Sequence, residues 1–145
     1  MAYPIGSTRK DEVAKGVFTE TTVILQSDGT LTGTAHTWTK NKLQGGHARA
    51  SAVLFDSARN PVWILDPPVE CGVAGRWDPT GSSDRTVSIR EKVPAEAMSR
   101  ASYLAVVNTC ARYSIFFNWV QEHASELIAI GVKILSKEEQ ASQPS

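Results

Sequence analysis

No apolar run in this chain is long enough to cross a membrane as a helix, which takes about 20 consecutive apolar residues. Met1 to Gly16 has no apolar core of the secretory type and reads as a polar, loose segment. Neither sign of charge is in excess: 15 Lys and Arg face 15 Asp and Glu, for a net charge of zero. Binding DNA or RNA through phosphates needs a basic surface, so a nucleic-acid partner is not expected. The two cysteines, Cys71 and Cys110, are far apart and outside any metal-ligand spacing. They read as two buried thiols, with a disulfide between them only in a secreted setting. Together these absences point to a cytoplasmic protein with reduced cysteines.

Catalytic signatures are missing as well. There is no G-x-S-x-G elbow, no phosphate loop and no dinucleotide fingerprint, and Gly72-Val73-Ala74-Gly75 fits neither glycine pattern. Asp56, Asp66, Glu70, Asp78 and Asp84 lie mostly where turns and loop ends favour Asp. His36 and His47 supply two imidazoles that could face each other across adjacent strands, but neither strand offers a neighbouring carboxylate or thiol. Zinc takes three or four ligands, so no metal and no cofactor is expected. A small enzyme using His36 or His47 as general base is the remaining catalytic reading.

The pattern that is present is β. Val17 to Gln26 is rich in Thr, Val and Ile, Asp28-Gly29 comes next, and Leu31 to Lys40 returns. Asp-Gly between two β-prone runs is a hairpin signal. In the return strand Thr32, Thr34, His36 and Trp38 share one face, because side chains alternate. Asn41 to Gly46 is turn-rich. His47 to Asp56 reads as a third strand whose run Ala52-Val53-Leu54-Phe55 suits burial on both faces. Pro61 ends the break after it, and Val62 to Leu65 is a fourth strand. Asp66 to Asp84 carries three prolines and three glycines and reads as a long irregular segment with a short strand near Val69 to Val73. Arg85 to Lys92 alternates as a strand, Val93 to Met98 reads as a helical turn with Pro94 in its first position, and Tyr103 to Cys110 as a last strand.

Ile115 to Leu135 changes period. At about 100° per residue, Phe116, Phe117, Trp119, Val120, Ala124, Leu127, Ile128, Ile130, Gly131, Ile134 and Leu135 fill one side. Asn118, Gln121, Glu122, Ser125, Ala129 and Lys133 fill the other. The apolar arc covers roughly half the circumference, wider than the ~100° a one-sided packing stripe needs. Val120, Ala124 and Leu127 form an ordinary packing centre, and Trp119, His123 and Ile130 form a margin open to a partner. Central polar residues rule out a transmembrane span, and Lys133 as the sole cation argues against a membrane-surface helix.

Short strands with turn chemistry between them and no alternating helices predict a mainly β fold: an antiparallel β-sandwich, or second a partly closed β-barrel, with one C-terminal amphipathic α-helix. Residues 1–16 form a flexible segment, 17–135 one domain including the helix at 115–135, and 136–145 a disordered tail. The expected function is non-enzymatic binding, with self-association into a homo-oligomer through Phe116, Trp119, His123 and Ile130. The alternative is a carbohydrate- or small-ligand-binding module built on the loop from Glu70 to Arg85. There Arg76, Trp77, Asp78, Asp84 and Arg85 place cations, an aromatic face and acceptors together, with Trp38 as a second platform.

Overall fold

The structure, a computed structural model, describes residues 3–110. Two antiparallel sheets pack face to face as a β-sandwich, and neither closes into a barrel. The first sheet contains β1 (Ile5–Ala14), β2 (Val17–Leu25), β3 (Thr30–Thr39) and β7 (Asp84–Lys92) in the order β1-β2-β3-β7. The second contains β4 (Arg49–Phe55) at its centre, with β5 (Pro61–Ile64) and β6 (Val69–Glu70) along one edge and β8 (Tyr103–Thr109) along the other. A short helix, α1 (Ala95–Arg100), joins β7 to β8. Pro94 stands at its N-cap, one position before the first helical turn.

The β2–β3 hairpin forms around Asp28-Gly29 as its sequence predicts. Leu25 pairs with Leu31, and Asp28 accepts the Thr30 backbone N–H at 2.9 Å. Gly29 sits at φ +92, where a side chain is strained, and a Cβ there would also meet the Val93 carbonyl. Alternation then sorts the strands: Val17, Val23, Leu25, Leu31, Ala35 and Ile89 turn inward. From the second sheet Ala50, Ala52, Leu54 and Val106 meet them, and Val93 and Ala97 close one end of the same apolar core.

Two parts of the chain depart from the sequence-based expectation. The N-terminal segment is not loose: Ile5–Ala14 is a full strand paired along β2. Between Ile5 and Val13 its inward positions Ser7, Arg9 and Asp11 are polar, so hydrophobic alternation does not reveal it. Arg9 and Asp11 are held instead by a buried network. Asn108 on β8 donates to the Arg9 carbonyl and to Asp11, and its own side-chain oxygen accepts from Thr21 at 2.6 Å. Thr19 and Thr37 pair their hydroxyls beside it at 2.9 Å. The second departure is the segment from Asp66 to Asp84, which is less irregular than its prolines and glycines suggest. Gly46 and Val73 form a β-bridge, Ala74 donates to the Ser82 carbonyl, and Trp77 donates to that of Lys42.

Candidate functional site

The connection Asn41 to Ala48 and the loop from Glu70 to Arg85 lie side by side, because each satisfies the other's backbone. Gly46 and Val73 exchange N–H···O bonds at 2.9 and 3.0 Å, and Cys71 donates to the Ala48 carbonyl at 3.0 Å. Gly45 is needed where the two segments touch, since a Cβ there would collide with the Val73 carbonyl. Between them opens a groove of about 600 Å³, lined by Gln44, His47, Arg49, Glu70, Asp78 and Arg85 among others. That is within the ~300–1,000 Å³ usual for small-ligand sites.

Charge within the groove is unevenly committed. Arg49 is 3.5 Å from Glu70, so these two largely answer each other. Asp78 accepts the Thr80 backbone N–H at 2.9 Å and its hydroxyl at 2.8 Å, and these bonds hold its carboxyl below the ordinary range. Arg85 makes one long bond, 3.4 Å, from Nη1 to the Gly72 carbonyl. A guanidinium carries five donors, so most of this fork is available to an incoming acceptor. Cys71 is fully buried, and burial pushes its thiol pKa up; it is a packing residue rather than a nucleophile.

The residues singled out from sequence divide between this groove and a second surface. Asp78 and Arg85 line the groove. Arg76 and Trp77 precede Asp78 in the chain and are exposed, with Trp77 at 63% and Lys42 Nζ 5.1 Å from its ring centre. Trp38 and Asp84 belong to the outer face of the first sheet. Asp84 lies opposite Trp38 in register and bonds His36 at 2.9 Å. Strand alternation sends Asp84 and Arg85 to opposite faces, so the residues expected to act together in this loop are divided between two surfaces.

On that outer face Phe18 stacks on Trp38 with ring centres 5.7 Å apart, and His36 lies 4.8 Å from Trp38. Lys10 and Lys40 cap the row, 5.3 Å from the Trp38 ring and 5.1 Å from the Phe18 ring. Phe18 is missing from the sequence-based candidates; the signal that could have found it is the hairpin register, which pairs it with Trp38.

The histidine pair does not form as expected. β3 pairs with β7, whereas His47 precedes β4 in the other sheet, so His36 and His47 do not face each other across neighbouring strands. His36 instead finds a carboxylate from a distant part of the chain, Asp84, brought alongside by β7. Among the described residues no three His, Cys, Asp or Glu side chains cluster as a metal site. The interface residues Phe116, Trp119, His123 and Ile130, with the helix that carries them and the tail after it, lie outside the described residues.

Fold and site together define an antiparallel β-sandwich with a ligand-sized groove at one end. Comparisons with protein-family models, curated proteins and solved structures found no match to this chain.

Proposed function

We propose that this is a non-enzymatic binding module that holds a small anionic ligand, bearing a carboxylate or phosphate, in the groove beside the Glu70 to Arg85 loop. The observation that carries this reading is Arg85, whose guanidinium lines the groove with one long backbone bond and no carboxylate partner among the described residues. Planar, forked donors suit carboxylate and phosphate oxygens in pairs. Arg49 adds a second guanidinium, and exchange of Glu70 for a ligand oxygen would leave its charge satisfied. Trp77, next to groove-lining Asp78, offers an exposed ring to the remainder of the ligand.

The groove holds one imidazole among its lining residues, His47, and its carboxylates are already engaged, Glu70 by Arg49 and Asp78 by Thr80. Its cysteine neighbour is buried as a thiol, and the histidine with an aligned carboxylate, His36, stands on the outer sheet face instead. Calorimetric titration of a panel of carboxylates, phosphates and neutral sugars tests the proposal. Binding restricted to anions, lost at least ~10-fold in Arg85→Gln with unchanged thermal stability, supports it. Equal binding by neutral sugars, or an unaffected Arg85→Gln variant, overturns it.

A further inference from the structure

We infer that residues 115–135 of this same chain form a third layer, an amphipathic helix laid across the outer face of β4 and β8. The sandwich accounts for only one face of its second sheet. Ala50, Ala52, Leu54 and Val106 point into the core between the sheets. The alternate set, Val53, Phe55, Ala105 and Val107, is 0, 0, 4 and 0% exposed, yet none of the four belongs to that core. Ile64, in register with Val53 on β5, is half-buried beside them. The outer face of the first sheet shows the contrast. Its apolar residues, Phe18, Ile24 and Trp38, are exposed or half-buried and stand among exposed Thr8, Lys10, Glu20, Thr34 and Arg90. One sheet is made to face water on its outside, and the other is made to be covered.

Three features of the chain name the cover. β8 ends at Thr109 on this very sheet, so the chain leaves from the edge of the apolar face. Residues 110–114 extend at most ~18 Å, which makes that face the nearest apolar surface for the 115–135 segment. That segment then supplies an apolar arc centred on Val120, Ala124 and Leu127. As a helix it is about 31 Å long, enough to cross strands of about 23 Å. Docked by that centre, it keeps Trp119, His123 and Ile130 at its margin, and these are the residues left for a second copy of the chain.

Disulfide trapping in the full-length chain tests the layer. In a Cys110→Ser background, Val53→Cys or Val107→Cys is combined with Ala124→Cys, Leu127→Cys or Ile128→Cys. Pairs with Glu122→Cys or Ser125→Cys serve as controls. The proposal expects an intrachain disulfide from the apolar-side pairs, several-fold above the controls, with the protein remaining a monomer on a non-reducing gel. Equal trapping at the polar positions overturns it, as does trapping only as a covalent dimer, which would place a second copy's segment on the face. Hydrogen exchange on the unmodified chain keeps the test independent of the cysteine variants. Slowing of at least ~10-fold across 118–131 relative to free coil is expected. Free-coil exchange there overturns the proposal.

Discussion

Asn108 and Asp11 are 97 positions apart in sequence, and the Asn108 side-chain amide donates to the Asp11 carboxylate at 3.0 Å inside the sandwich. The bond joins the last strand of one sheet to the first strand of the other. Arg9 holds the same carboxylate from its more exposed side, Nε to Oδ1 at 3.0 Å. The sheets are therefore held by hydrophobic packing and, between Val17 on one side and Val23 and Leu25 on the other, by a satisfied polar network. Such networks are costly when any member is removed, because the remaining groups stay buried.

Replacing Asn108 by Ala removes the donor to Asp11 and the acceptor of Thr21 in one step. The expected loss is about 1–3 kcal/mol in urea-induced unfolding. Thr8→Ala, on the solvent face, serves as the control and is expected within ~0.5 kcal/mol of the parent. A cost for Asn108→Ala no greater than the control would show that the network is not holding the sheets.

Asp11 also sets a pH dependence. Burial raises its pKa above the ordinary 3.8, against the opposing pull of Asn108 and Arg9. The folded chain thus keeps a proton at pH values where the unfolded chain has lost it. This contribution to stability is complete below about 3.8 and falls away as pH rises through the raised native value. Asp11→Asn cannot titrate. Its stability relative to the parent is expected to improve steadily from about pH 3.5 upward through the acid range, read from urea midpoints. A constant difference across that range contradicts a native Asp11 pKa raised by burial.

Gly29 and Gly45 serve different ends. Gly29→Ala forces a side chain into a positive-φ turn against the Val93 carbonyl, and is expected to cost more than ~1 kcal/mol. Gly45→Ala disturbs the approach of the two groove walls, so ligand affinity should fall along with stability. Thermal melting of both variants, with titration of the second, checks this. An Ala at either position that melts with the parent would contradict the backbone geometry.

How far the sequence foretells each element depends on which force holds it. The β2–β3 hairpin is legible because turn chemistry at Asp28-Gly29 and alternation agree. β4 is legible as buried on both faces because Ala52-Val53-Leu54-Phe55 is apolar without a break, and the structure buries all four. β1 is not legible. Its inward residues Arg9 and Asp11 look like solvent residues until Asn108 arrives from a strand 97 positions away. Of the site, the composition of the Glu70 to Arg85 loop marks it out, but its division between two surfaces is hidden. Asp84 and Arg85 are neighbours in sequence and lie on opposite faces in space. The partner strand of His36 is not readable locally either, since strand order is set by which sheet each strand joins, not by its own pattern.

Anion binding through Arg85, in the groove between residues 43–49 and the Glu70 to Arg85 loop, has a decisive measurement in backbone amide NMR. The full-length chain is titrated with the tightest anion from the calorimetric panel. An anion held at Arg85 produces saturable shifts concentrated at Gly45, Gly46, His47, Gly72, Gly75 and Asp78, with the Arg85 side-chain Nε–H moving as well. Shifts clustered instead on Phe18, His36 and Trp38, or shifts that never saturate, would contradict it.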